Sequence, residues 1–381
     1  MVKIGIEIHQ RLDTKHKLFC NCSTEGNERK IGAVQRRLHP VPSELGKIDL
    51  AAQFEQLKNR NFAYDLYDGT VCEIDADEAP PRGINYDAVK IVLMVCKMLG
   101  TDVVDEINVM RKLVLDGSAI TSFQRTALVG LGGRLKLKES GREIDIQSVC
   151  IEEESSGILG EAQRAETGQF RLDRLGIPLI EIATSADIKD GKEARVVSEQ
   201  IGLMLRATGR VKRGIGTIRQ DLNISIEGGA RIEIKGVQDL DLVELAVDNE
   251  IARQKGLIRV CEKIKGIEKE QLKVFDVTKI LEKTECKFVR EEIWHGKKVF
   301  AAKFVGMAGL LGTELSPGYR YGSELSGYAK AVGSGGIIHS DEDLRKYGFM
   351  EEIKEMEKLL GKGQKDAWIM VVGSEELCRK V

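Results

Sequence analysis

Proline is scarce in this chain, and so is any extended apolar run. Six prolines stand against forty glycines in 381 residues, which points to many turns without the composition of a disordered chain. No apolar stretch approaches the ~20 residues of a membrane-spanning helix, and Glu7, His9 and Arg11 interrupt the apolar core that a secretory signal needs. The expectation is a cytoplasmic protein with no membrane partner. A C-x-x-C pair is also missing: the eight cysteines, at 20, 22, 72, 96, 150, 261, 286 and 378, are dispersed and form no disulfide-dense segment. They read as reduced. Neither charge is in surplus, because 58 basic residues meet 60 acidic ones for a net charge of −2. That balance argues against non-specific nucleic-acid binding, while a local patch of Arg206, Arg210, Lys212 and Arg213 stays compatible with a nucleic-acid partner. The phosphate-binding pattern G-x-x-x-x-G-K-[ST] is absent, and glycine-rich GLGGRLKLK at 130–138 continues into an alternating strand, so it reads as a turn.

What is present is a globular composition, 42% hydrophobic and 31% charged, in a chain long enough for two or three domains, with two as the starting expectation. Residues 1 to 235 are dominated by short alternating segments. DAVKIVLMVCKMLG, from Asp87 to Gly100, reads as a buried helix ended by Gly100, and Lys192 to Gly209 as a second. A third follows Asp239, where Leu240, Val243, Val247 and Ile251 recur at helical spacing until Gly256. So many polar-faced strands beside a few helices predict an α+β fold, an open antiparallel or mixed sheet covered on one side. Near residue 270 the texture changes to a lysine-rich helix and two strands, so the boundary is placed between 1–270 and 271–381. A helix from Asp341 to Leu360 and a closing buried strand at 366–374 are expected in the second part.

The opening residues MVKIGIEIHQR alternate strictly, with Val2, Ile4, Ile6 and Ile8 on one side and Gly5, Glu7, His9 and Arg11 on the other. An acid and an imidazole on one rigid face can hold a metal ion or move a proton; a strand with one wet face reads the same way. Four other segments repeat the pattern: IRQDLNISIEGG (Arg219, Asp221 and Asn223 opposite the isoleucines), QFRLDRLG (Arg171, Asp173), ARIEIKG (Glu233, Lys235) and PLIEIATS (Glu181). SVCIEEESSG adds Glu152, Glu153 and Glu154 at a strand end. Gathered on one sheet, these carboxylates make an acidic concavity that calls for cations, and Mg²⁺ is the natural one, used with one or two carboxylates and substrate phosphates. Arg219 and Lys235 on the same faces can stabilise phosphoryl oxygens. The residues therefore suggest ATP-dependent phosphoryl transfer without a P-loop. One further cluster lies in HKLFCNC, where His16, Cys20 and Cys22 offer zinc ligands if Cys72 approaches them; the spacing fits no common zinc motif, and buried or turn cysteines are the alternative.

GIEIHQRLDTKHKLFCNCS, DADEAPPRG, DGSAITSFQRT, VCIEEESSG, RLDRLGIPLIEIAT, GTIRQDLNISI and IEIKGVQDL resemble, in order and over about residues 1–270, the motifs of the GatB/GatE family of tRNA-dependent amidotransferases. GMAGLLGTELSPGYRYGSELSGYAKAVGSGGIIHSDE resembles the insertion domain of the family's archaeal GatE branch, itself similar to that of bacterial-type aspartyl-tRNA synthetases; the GatB branch lacks it. The resemblance implies an antiparallel-sheet cradle of the glutamine synthetase/guanido kinase type with an aspartyl-tRNA synthetase-like α+β insertion. It implies that glutamate misacylated on tRNA(Gln) is phosphorylated by Mg-ATP on its γ-carboxylate, and that ammonia then displaces phosphate. An asparaginase-like glutaminase subunit, GatD, is the implied ammonia source, and Glu-tRNA(Gln) the implied substrate. By the same match, His9, Glu153 and Glu181 fall where the family holds its catalytic Mg²⁺, with Glu7 and Glu152 adjacent for a second ion. Histidine is an unusual Mg²⁺ ligand, which leaves open binding through water or selection of Mn²⁺. Arg125, Arg219, Asn223 and Lys235 are candidates for nucleotide or substrate contacts, against cross-strand pairing with Asp221 and Glu233 for the last three; Gln124 and Arg125 fit the pattern without a defined role. The family continues beyond the insertion into helical and tail domains that engage tRNA, and this sequence ends at Val381 before them. The expectation is a truncated or split subunit. The alternatives are a noncatalytic tRNA-binding or assembly fragment and a GatB-type aspartyl/glutamyl-tRNA amidotransferase subunit.

Overall fold

Isoleucine at every second position places Ile4, Ile6 and Ile8 of the strand Val2–Arg11 in the core, each at most 1% exposed, and turns the alternate side chains to the other face. The computed structural model describes residues 1–43, 45–57, 60–160, 167–266 and 272–381. The chain folds as two compact units, Val2–Ile224 with Arg231–Val247, and Ser225–Ala230 with Asp248–Val381 and Met1. The boundary expected near residue 270 lies outside the described residues.

The larger unit is built on a nine-stranded sheet. Across it run Ile232–Val237, Ile218–Ile226, Val2–Arg11, Pro178–Thr184, Glu143–Glu153 and Phe123–Leu131 as successive neighbours. Asp102–Val103 and Val109–Leu113 both pair with Phe123–Leu131, and Arg134–Lys136 pairs with Glu143–Glu153. From Val2–Arg11 through Pro178–Thr184 and Glu143–Glu153 to Phe123–Leu131 the pairing is antiparallel. Helix Tyr86–Leu99 packs on the strands Phe123–Leu131 and Glu143–Glu153, and helix Gly191–Ala207 on Val2–Arg11. The Asn85 side chain accepts from the N–H groups of Asp87 and Ala88, and Gly100 ends that helix in the left-handed region at φ 64°. The turn read at GLGG is present: Gly132 and Gly133 have φ 67° and 103° between two strands.

QFRLDRLG does not join this sheet. Its strand Thr167–Arg171 belongs to a four-stranded sheet with Lys30–Arg36, Asn61–Tyr67 and Gly157–Leu159, and it runs parallel to Asn61–Tyr67. Burial explains the placement, because Phe170 and Leu172 complete a separate cluster with Phe62, Tyr64 and Ile120.

In the smaller unit the strands Val274–Asp276, Lys298–Phe304, Ala367–Gly373 and Ile338–His339 form an antiparallel sheet. Trp368, Val299 and Met370 pack there against Phe349, Met356 and Leu360. Two short helices, Thr278–Leu281 and Lys287–Trp294, stand where one lysine-rich helix was expected. The helix expected from Asp341 to Leu360 is interrupted: a 3₁₀ turn Leu344–Tyr347 stops at Gly348, φ 88°, and the α-helix proper is Glu352–Leu360. The strand at 367–373 is followed by helix Glu375–Lys380. Helix Leu240–Ile264 runs through Gly256 instead of ending there, since that glycine serves packing: a Cβ on it would lie 2.8 Å from the Cα of Leu315. No helix among the described residues is long and apolar enough to cross a membrane.

Candidate metal centre

The five strands Ile232–Val237, Ile218–Ile226, Val2–Arg11, Pro178–Thr184 and Glu143–Glu153 are consecutive in the large sheet, so their polar faces merge into one surface. Register brings the side chains together. His9 stands directly opposite Glu181, and Glu181 opposite Cys150, which puts Glu152 on the same face two positions further along. His9 Nδ1 lies 2.9 Å from Glu152 Oε1 and 3.8 Å from Glu181 Oε2; its Nε2 is 3.6 Å from Asp221 Oδ2. At that last distance there is no hydrogen bond, and Nε2 and Glu152 Oε2 are both buried without a hydrogen-bond partner. Asn223 donates to Glu7 Oε1 at 3.2 Å. Asp221 accepts from the Gly236 N–H at 2.7 Å and lies 3.6 Å from Lys235 Nζ, which also pairs with Glu233 at 3.0 Å.

The electrostatics follow from crowding carboxylates out of water. Burial opposes a charge on His9, but Asp221 and Glu152 outweigh it and push its pKa up to about 9. Burial, reinforced by repulsion from Glu152, pushes Glu181 up to about 7 against the pull of His9 and Lys112. Asp221 goes the other way: burial raises it, yet His9, the Gly236 N–H and Lys235 bring it down to about 2. Cys150 shares the face, but burial and the charges of Glu181 and Glu152 push its thiol up to about 12, which removes it as a nucleophile at neutral pH.

Two groups of ligand atoms fit a cation. Those of Glu7, His9 and Glu181 lie within 4.8 Å of one another, as do those of Glu7, Asp221 and Glu233, so Glu7 is common to both. The orphaned His9 nitrogen and Glu152 oxygen show that protein groups alone leave this cluster short of a partner. Oxygen donors with one imidazole suit Mg²⁺ or Mn²⁺.

Glu153 is not in the cluster. As the neighbour of Glu152 on an extended strand it points to the opposite face, where Arg125 Nη1 lies 3.0 Å from Oε1 and the Arg125 N–H donates to Oε2 at 3.0 Å. Burial raises its pKa there, with Arg125 pulling against it. Gln124 donates to the Glu153 carbonyl at 2.6 Å. Of the remaining expected contacts, Lys235 pairs across strands with Asp221 and along its own strand with Glu233, whereas Arg219 lies 3.3 Å from Glu154. Glu154 was not singled out as a site residue, yet it is 2% exposed and holds three arginines: Arg11 at 2.7 Å, Arg174 at 3.3 Å and Arg219. Burial opposes its charge, but Arg219, Arg11 and Arg174 keep its carboxyl below the ordinary range. Asp221, Arg11 and Glu154 were all legible as members of polar strand faces; what sequence could not supply was their neighbour. His16 also departs from expectation, since its Nδ1 faces the Asn21 carbonyl at 2.8 Å, while Cys20, Cys22 and Cys72 gather with Asp75 instead.

Fold and site together define an α+β protein whose antiparallel sheet carries a buried carboxylate–imidazole cluster fitted to a divalent cation. A model of the GatB/GatE catalytic domain matches residues 2–352, and this chain belongs to that family. It is 44% identical to the E subunit of the glutamyl-tRNA(Gln) amidotransferase of Sulfolobus acidocaldarius, 46% to that of Saccharolobus solfataricus and 45% to that of Archaeoglobus fulgidus. Each match covers 98% of this chain and 60% of the relative, so the chain spans about three fifths of the length of those proteins.

Proposed function

We propose that this chain is the ATP-dependent part of a glutamyl-tRNA(Gln) amidotransferase, activating the γ-carboxylate of glutamate on Glu-tRNA(Gln) as a γ-glutamyl phosphate for amidation. The observation that carries the reading is the cluster of Glu7, His9, Glu152 and Glu181 on one sheet face, with two carboxylate groupings that share Glu7. In this reading Glu7, His9 and Glu181 hold Mg²⁺, and Glu152, bonded to His9 Nδ1, sets the imidazole ring as a carboxylate beside a ligating histidine does. When bound, the cation neutralises phosphate charge and polarises the transferring group. Lys235, beside Asp221, and the arginines held at Glu154 supply positive charge that the acidic face otherwise lacks. Arg125, on the far face, acts through Glu153 and the strand it steadies.

The reading includes the cradle architecture of the glutamine synthetase/guanido kinase type, an insertion like that of aspartyl-tRNA synthetase in residues 271–381, a cytoplasmic setting and a GatD-type glutaminase that delivers ammonia. The names of the relatives support the substrate, and the family model supports the catalytic assignment. The test is ADP release from Mg-ATP by this chain, combined with the part of the relatives that it does not cover and with the glutaminase subunit. Release stimulated by Glu-tRNA(Gln) and abolished in His9→Ala is expected. ADP release that ignores His9→Ala overturns the site; tRNA or GatD binding without any ATP use favours an assembly module.

A further inference from the structure

The strand that carries Glu233 and Lys235 lies at one end of the large sheet. Among the described residues Ile232–Val237 pairs only with Ile218–Ile226, and none of its residues is fully buried. Such a strand opens locally at low cost unless its end is held. The turn that joins the two strands belongs to the smaller unit: Ser225–Ala230 groups with Asp248–Val381, whereas the strand residues up to Ile224 and from Arg231 belong to the larger one. Helix Leu240–Ile264 holds this turn. Its Glu250, Gln254 and Ile258, at i, i+4 and i+8, share one helix face. A Cβ on Gly228 would lie 3.6 Å from Ile258 Cδ1, and one on Gly229 would overlap Gln254 Oε1, so glycine at 229 is what lets the turn seat on the helix.

Gln254 and Glu250 are buried, and one guanidinium fixes them both. Gln254 Nε2 donates to Glu250 Oε1 at 2.8 Å. Arg253 donates to the same carboxylate through Nε at 2.7 Å and Nη2 at 2.9 Å, and its Nη1 donates to Glu324 Oε1 at 2.7 Å, on helix Tyr321–Ala331. We infer that Arg253 is a positioning residue of the cation face: by joining Glu250 to Glu324 it fixes Gln254 against the Ser225–Ala230 turn, and the strands that this turn joins then hold Asp221, Glu233 and Lys235 in register with Glu7. The consequence for a cation rests on the reading given under Proposed function; the geometry does not. A planar guanidinium forked onto one carboxylate and reaching a second admits one arrangement, whereas an ammonium is a point charge that fits several. Loss of the guanidinium leaves Glu250 a buried charge without its counter-ion, so the helix face must rearrange and the turn with it. The Gly236 N–H, which donates to Asp221 Oδ1 at 2.7 Å, reports on the seat of the strand from within the larger unit.

The test is amide exchange at Gly236 together with Mn²⁺ titration, in the whole chain and in its variants Arg253→Met, Arg253→Lys and Gly229→Ala. Exchange at Gly236 should quicken by about 3–30-fold in Arg253→Met and in Gly229→Ala, and Mn²⁺ affinity should fall by a similar factor. Strand Ala367–Gly373, in the same unit as Arg253, should keep its exchange rates, and Arg253→Lys should fall between the parent and Arg253→Met at Gly236. Unchanged exchange at Gly236 in Arg253→Met overturns the inference, and so does an acceleration shared equally by Ala367–Gly373, which is general destabilisation. If Arg253→Met does not fold, Arg253→Lys and Gly229→Ala decide in its place, and an unaltered Gly236 in both overturns the inference. Faster exchange at Gly236 with Mn²⁺ affinity intact, or in a chain whose parent takes up no Mn²⁺, upholds the positioning role and overturns the cation reading of Asp221 and Glu233.

Discussion

Adjacent glutamates 152 and 153 point to opposite faces of one strand, and that parity separates their work. Glu152 bonds His9 within the cation cluster; Glu153 bonds Arg125 beneath it. Glu152→Gln is expected to weaken Mn²⁺ binding about 10–100-fold, the usual effect of losing a carboxylate behind a ligating histidine, with little change in thermal stability. Glu153→Gln should instead cost about 1–3 kcal/mol of stability by weakening the pairing of a mostly buried guanidinium, and leave Mn²⁺ affinity within a few fold. Paramagnetic titration and thermal unfolding of the two variants separate these outcomes, and equal losses of affinity would show the parity assignment to be wrong. His339 gives a pH prediction at the same scale. Burial lowers its pKa despite the charges of Glu342 and Asp341, and its Nδ1 already accepts the Asp341 N–H at 3.3 Å, so the folded ring is neutral. Below pH ~6.5 the unfolded chain takes up the proton more readily than the folded one. Stability should therefore fall with pH by up to ~1.4 kcal/mol per unit until the folded value is passed. Denaturant melts of His339→Gln between pH 7 and 5 should show a flatter decline than those of the unmutated chain.

Helices and strands were largely legible because their cause is local. The alternation of Ile4, Ile6 and Ile8 names a strand and its inner face, and Asn85 with Gly100 brackets a helix. Where the reading failed, a glycine had two meanings. Gly348 breaks a helix that periodicity would have continued, and Gly256 sits inside a helix that it was expected to end. The second follows from contact with Leu315, which is distant in sequence. Gly256→Ala tests that explanation: helix propensity alone favours alanine by ~1 kcal/mol, but the new methyl group meets backbone at 2.8 Å. A net destabilisation of about 1–3 kcal/mol is expected. A variant more stable than the parent in urea unfolding would mean that the close approach is relaxed in solution.

At the scale of the whole chain, the two compact units have cores of their own, and the cation cluster belongs to the larger one. Mn²⁺ at a hundredfold excess over its Kd should stabilise the protein by ~2.7 kcal/mol if it binds only the folded state. Amide exchange should slow in Val2–Arg11, Pro178–Thr184 and Ile218–Ile226 and stay unchanged in Ala367–Gly373. Slowing spread evenly over all four strands would point to unspecific cation binding.

The chain's own pattern sufficed to settle which residues form strands, which face of each is polar, and that the polar faces carry carboxylates, because period two and side-chain polarity are properties of short segments. The ordered motifs sufficed for the family. Strand order was beyond that reach: four of the five later carboxylate segments flank the opening strand or its neighbours, while QFRLDRLG pairs elsewhere. So was the choice between Glu152 and Glu153, and so was the meeting of Cys72 and Asp75 with Cys20 and Cys22. Each depends on register and loop closure between segments separated by tens of residues, and those are set by how the buried faces pack rather than by any local preference.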